Sequence, residues 1–185
     1  MREPLIRRGR AHVFGDAVSL DDGIIPARFA AQRVTDPALL LSHLFENVDA
    51  GFATRARPGD IVLAGRDFAG GKPRVQGFLA MAAMELSVVC VSMPYRMLRR
   101  AVARAIPVVV GGPAPAALAA SGDDIEVDFG AGVFRNLSRD TCASIPIIPD
   151  VLCEIVSSGG AEAALRDWLE RRPEQAIDPS ERTQK

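Results

Sequence analysis

The sequence predicts a single α/β domain containing a locally parallel sheet, and three observations point to it. Short apolar, β-rich runs alternate with helix-like segments over residues 60–111, the pattern of successive βαβ units. A second region, "DDIEVDFGAGVFRNL", alternates apolar and polar residues about a "GAG" turn and reads as a β-hairpin. The chain has 185 residues, the length of one ordinary domain, and its 48% hydrophobic content is enough to fill a core.

Taken in order, the basic residues 1–10 read as an arm or as the entry to a first strand, "AHVFGD". "DDGIIPAR" is an acidic turn running into Pro26, which cannot occupy a strand centre. "DPALLLSHLFENV" is predicted to be a helix, with Asp36 as N-cap, Pro37 at the first helical position and apolar residues at helical spacing. "DIVLA" is a buried-type strand, and residues 75–86 form the next helix. "SVVCVSM" is a second strand, "PYRMLRRAVARA" a helix with Pro94 at its start, and "IPVVVGG" a third strand. After the hairpin, "PDVLCEIVSSGG" is a helix closed by glycines, and "AEAALRDWLERR" is a last amphipathic helix. The domain is expected over 1–172. Residues 173–185, polar and with two prolines, are expected to be a disordered tail.

Composition narrows the function classes. With 22 basic and 23 acidic residues the net charge is −1, which offers no general attraction to nucleic acid or to an anionic membrane. The longest apolar runs are strand-sized, no signal-type segment follows the first arginines, and a cytoplasmic location is expected. Cys90, Cys142 and Cys153 are odd in number and widely spaced, which argues against a disulfide framework and against a metal site. They are expected to be buried or half-buried structural thiols.

The most informative stretch is "GRDFAGGKPR", residues 65–74. A strand, a glycine-rich turn and a helix put backbone N–H groups and the positive end of the helix dipole at one place. Lys72 and Arg74 add two cations there. A nucleotide P-loop does not fit, because Arg66 stands where that pattern needs glycine and Pro73 where it needs Ser or Thr. No G-x-G-x-x-G is present for a dinucleotide. The plain alternative is that Gly70 and Gly71 only make a tight turn while the cations face solvent. A third reading takes Arg96, Arg99, Arg100 and Arg104 as a nucleic-acid face. It lacks an aromatic platform, and such a face is usually just solvated.

The loop resembles the G-x-N-F-G-x-G-S-S-R-E signature of 3-isopropylmalate dehydratase small subunits and of the matching swivel domain of aconitase. Gly65, Asp67, Phe68, Gly71 and Arg74 fall in its order. Asp22, Ile24, Ile25, Pro26, Ala27 and Arg28 are similar to the family's D-x-I-I-P-A-R turn, and the likeness runs over about residues 9–165. The resemblance implies a swivelling β/β/α domain of the aconitase C-terminal type, acting with a large subunit. That partner would hold a [4Fe–4S] cluster whose open iron binds the hydroxyl and a carboxylate of a hydroxy di- or tricarboxylic acid. The reaction implied is removal and re-addition of water. No cofactor is expected in this chain, and no nucleic acid or membrane partner; self-association of the isolated chain stays open.

The resemblance implies Lys72 and Asp22 as catalytic candidates, with Gly70, Gly71, Arg74, Arg28, Arg96 and Arg99 as substrate-binding candidates. The departures fall on the chemistry. Lys72 stands at the place of the family's proton-abstracting serine, and Pro73, Val75 and Gln76 replace the next serine, the glutamate and a histidine. In the family's S-F-A-R-I stretch this chain has Tyr95 at the arginine position, with Arg96 beside it, while Arg99 keeps the later arginine's place. An ordinary lysine titrates near 10.4, so a base near pH 7 needs about 4 kcal/mol of desolvation or repulsion. Anchoring a carboxylate as an ammonium needs none, so anchoring is the simpler role and the base role stays open. Two functional readings follow: a hydro-lyase small subunit, and a divergent non-catalytic module that binds or regulates.

Overall fold

The computed structural model describes residues 4–172; the expected tail, 173–185, lies outside them. A seven-stranded sheet runs in the order β4-β3-β2-β1-β5-β6-β7. Its strands are β1 (Ile6–Val13), β2 (Ile61–Ala64), β3 (Ser87–Cys90), β4 (Val108–Val110), β5 (Asp124–Asp128), β6 (Val133–Asn136) and β7 (Thr141–Ser144). From β1 to β4 the pairing is parallel, and from β1 through β5 and β6 to β7 it is antiparallel.

The parallel half follows the predicted alternation. β2 leads through α4 (Gln76–Ala83) to β3, and β3 through α5 (Tyr95–Val102) to β4. Every residue of β2 and β3 is buried, as strands covered on both faces must be. Their side chains divide by the two-residue period. Val62, Ala64, Val88 and Cys90 join one apolar layer with Phe45, Phe52, Phe68 and Phe78. Ile61, Leu63 and Val89 join the other with Val127, Phe129 and Phe134.

Short helices α1 (Ala27–Ala31), α2 (Pro37–Leu41) and α3 (Phe52–Arg55) connect β1 to β2. Among them a π-helical turn, Leu20–Ile24, is capped by Ser19, whose hydroxyl accepts from the Gly23 N–H. The turn packs directly on α4: a side chain at Gly77 would stand 2.8 Å from a methyl of Leu20. Beyond β4 lie α6 (Pro115–Leu118), the antiparallel strands, and the pair α7 (Asp150–Ser157) and α8 (Ala161–Glu170).

Four expectations change. The basic arm is largely strand, because Ile6–Arg10 pair with Asp124–Asp128 of β5 and the exposed Arg8 meets the buried Glu126 between them. The helix opening at Asp36 ends at Leu41, because Phe45 takes φ 58, donates its N–H to the Ile24 carbonyl at 2.8 Å and turns its ring into the core. β7 was not foreseen: "TCAS" has no apolar alternation and is a strand by its pairing with β6. Cys90 is buried and Cys153 half-buried, but Cys142 is exposed on β7.

Candidate functional site

The loop after β2 lies at the carboxyl end of the parallel strands, where open α/β sheets place their ligands. Its first half is fixed by neighbouring segments. The Arg66 N–H donates to Asp16 Oδ1 at 2.7 Å, and the Asp67 N–H to Ser92 Oγ at 2.8 Å. Ala69 donates to the Val18 carbonyl at 2.8 Å, and Gly70 accepts from the Leu20 N–H at 2.9 Å. Phe68 and Ala69 are fully buried. Asp67, Ala69 and Gly71 all have positive φ, at 53°, 58° and 89°. Two of the three are not glycine, and six other non-glycine residues with positive φ lie elsewhere among the described residues.

The second half, Gly71 to Pro73, is exposed. Gly71 has a left-handed backbone that favours glycine, and a Cβ there would stand 2.6 Å from Asp21 Oδ1, the end of a side chain that can move aside. α4 then starts at Gln76 with no side chain capping its N-terminus. Arg74 Nε is buried with no hydrogen-bond partner among the described residues. Lys72, Arg74, Arg96 and Arg100 join no ion pair among the described residues. From α5, Arg96 Nη2 donates to the Gly71 carbonyl at 3.1 Å and Arg100 Nη1 to the Pro73 carbonyl at 3.2 Å. The result is a turn with four cations, an uncapped helix start and an unpartnered guanidinium nitrogen. That arrangement suits a carboxylate-bearing anion.

Gly70, Gly71, Lys72, Arg74 and Arg96 therefore meet at one place, while the other three candidates have different partners. Asp22 Oδ1 accepts from Asn47 Nδ2 at 3.0 Å and from the Ala27 N–H at 3.3 Å, which fixes the approach to α1. The acid against Gly71 is its neighbour Asp21, which the sequence reading passed over. A doubled aspartate on the turn preceding the glycine loop was the available signal. Arg28 Nη2 donates to Glu46 Oε1 at 2.5 Å, and His43 donates to the other oxygen of Glu46. Burial alone would raise the Glu46 carboxyl, but the bonds from His43 and Arg28 outweigh it and hold it below the usual range.

Arg99 lines a cleft with Tyr95, Leu98, Leu152 and Ile155, and Arg104 lies beyond the end of α5. Arg96 and Arg100 are turned onto the loop while Arg99 lines this cleft. Among the described residues no helix is long and apolar enough to cross a membrane.

No family model matches the chain. It is 33% identical over 157 residues to the 3-isopropylmalate dehydratase small subunit of Moorella thermoacetica, covering 84% of this chain and 92% of that one. With the corresponding subunit of Pyrobaculum calidifontis the identity is 36% over 157 residues, covering 84% and 94%. It is also 30% identical over 154 residues to the 2,3-dimethylmalate dehydratase small subunit of Eubacterium barkeri, covering 83% and 92%. The crystal structure of 3-isopropylmalate dehydratase from Methanocaldococcus jannaschii superposes with a TM-score of 0.83 at 25% identity, over 93% of this chain and all of that one. A mixed α/β domain with this sheet order is thus the fold of a dehydratase small subunit. The chain belongs to the 3-isopropylmalate dehydratase small-subunit family.

Proposed function

We propose that this chain is the small subunit of a hydro-lyase that removes and re-adds water on a hydroxy di- or tricarboxylic acid of the 3-isopropylmalate or 2,3-dimethylmalate kind. It acts in the cytoplasm as a swivelling domain that closes on a large subunit. The observation that carries the reading is the turn itself: Lys72 has no acid partner among the described residues, and Arg74 Nε is buried without one, both at the uncapped start of α4.

In this reading the substrate's carboxylate lies against Lys72, Arg74 and the N–H groups of the turn, while Gly70 and Gly71 serve its shape, since the Asp67 and Asp21 carboxylates fill the space where their side chains would stand. Lys72 acts as an ammonium anchor. A charge-assisted bond of that type contributes about 1.5–3 kcal/mol. Arg28 reaches a substrate only in competition with Glu46, and Asp22 supports the fold around it. A [4Fe–4S] cluster finds no fitting set of donors among the described residues of this chain. Its described residues hold no group of three His, Cys, Asp or Glu side chains able to take a metal, and burial pushes the Cys90 thiol up to about 12. In this proposal the cluster belongs to the large subunit.

The test is reconstitution. The purified chain should turn over no hydroxy acid by itself and gain activity with a cluster-loaded large subunit; robust turnover by the iron-free chain alone would overturn the proposal. The second reading, a non-catalytic binding module, draws on Lys72, Pro73, Val75 and Gln76 replacing the family's polar residues. It predicts subunit binding without turnover across a panel of hydroxy diacids.

A further inference from the structure

We infer that Arg96 and Arg100 are positioning residues, which clamp the 71–73 turn through its backbone and so aim Lys72, rather than touching the substrate themselves. The inference rests on the reading of the turn as the place that holds the substrate's carboxylate. The two arginines stand four residues apart on α5 and so project from one side of the helix. Arg96 takes the carbonyl of Gly71 and Arg100 the carbonyl of Pro73. Between them the Lys72 carbonyl accepts from the Arg74 N–H at 2.8 Å. Three consecutive carbonyls are therefore held, and Lys72 is the residue at their centre.

The turn needs this clamp from outside. Pro73 has no N–H, Gly71 has a backbone conformation that fits neither strand nor helix, and all three residues are exposed. Locally, the Arg74 N–H holds only the Lys72 carbonyl, and the carbonyls of Gly71 and Pro73 are held from α5. The clamp also sets direction. In a trans peptide the N–H points opposite to the C=O. With the Gly71 carbonyl drawn toward α5, the Lys72 N–H of the same peptide is turned away from α5. Arginine suits the task because its fork reaches across from a neighbouring helix and donates along fixed directions.

Two measurements test the clamp in the full-length chain. In the first, hydrogen exchange over residues 70–76 and tryptic cleavage of the Arg74–Val75 bond are compared between wild type, Arg96→Met and Arg100→Met. The Lys72–Pro73 bond itself resists trypsin. Each variant should raise both rates by about 10-fold while the midpoint of global unfolding stays put. Unchanged rates would overturn the clamp. In the second, the subunit is reconstituted with its large partner and Arg100→Met is combined with Lys72→Met. Arg100→Met should lower kcat/KM about 10-fold in the wild-type background and have under about 2-fold effect beside Lys72→Met. Arg100→Lys should recover part of the loss. Equal losses in both backgrounds would mean that Arg100 contacts the substrate directly, and would overturn the inference. If no substrate turns over at all, the functional reading fails and the exchange and cleavage rates alone decide the clamp.

Discussion

Two sets of cations in this molecule face opposite surroundings. Arg8 and Arg135 reach Glu126, Arg139 reaches Asp123, and Arg28 reaches Glu46. Each is a cation already matched by an acid of the same chain. Around the 71–74 turn, Arg96 and Arg100 meet only carbonyl oxygens, Arg74 keeps a buried nitrogen unpartnered, and Lys72 joins no ion pair among the described residues. The acids found there are Asp21 and Asp67, whose carboxylates pack against Gly71 and Gly70 rather than against the cations' ends. The contrast bears on function: beside arginines matched by acids, as at Glu126, Asp123 and Glu46, the turn at the carboxyl end of the parallel strands keeps cations without an acid partner among the described residues, where an anionic ligand would complete the pairing.

The largest expected effect comes from the unpaired set. In the reconstituted enzyme, Lys72→Ala should lower kcat/KM by about 10- to 100-fold, the loss of one charge-assisted bond to a carboxylate. Lys72→Arg should keep most of the activity, since a guanidinium still holds the anion but cannot take a proton near neutrality. Loss in Lys72→Arg, together with activity that climbs with pH in the wild type, would make Lys72 the base. Lys72→Ser tests altered chemistry on an intact scaffold, because it restores the family's residue.

Binding to the isolated subunit separates the two sets more directly. Titration with malate should show weak, salt-sensitive binding that Arg74→Ala abolishes and Glu126→Gln leaves alone. Unchanged binding in Arg74→Ala would make the turn a purely structural feature.

Stability effects come next. Gly71→Ala should cost about 1–2 kcal/mol by denaturant unfolding, through its left-handed φ and the collision with Asp21. Among the paired cations, Glu126 is the buried acid, at 5% exposure. The hydrogen bond from Arg8, and then that from Arg135, outweighs burial and holds its carboxyl below the ordinary value of 4.5. Its stabilisation is therefore complete above about pH 4.5 and is lost as pH falls through the depressed value. Glu126→Gln should cost about 1–2 kcal/mol at pH 7 and flatten the stability profile below pH 5. An unchanged acid limb would assign that limb to other carboxylates.

The smallest effect belongs to Glu46, which is held down in the same sense but lies nearer the solvent. Glu46→Gln should cost less than about 1 kcal/mol. It also frees Arg28, so malate should bind more tightly to this variant if Arg28 can reach the site. No change in affinity would confine Arg28 to its role beside His43 and Phe29.

Much of this protein was determined by its sequence alone. The alternation of β2, α4, β3, α5 and β4, the β5–β6 hairpin, the last two helices and the family likeness were all legible, because apolar periods of 2 and 3.6 residues are local properties of the chain. Glycines before a helix start, with Lys72 and Arg74 beside them, marked the place of the site. The tertiary structure decided which charges meet. Arg96 finds Gly71 across 25 residues, and Arg100 finds Pro73 across 27, because the crossover after β2 and the helix after β3 come to the same carboxyl end of the parallel strands. Likewise Asp21 rather than Asp22 lies on Gly71, and Glu46 takes Arg28. The pairing partner of a surface charge depends on how remote segments are packed, and no local period records that.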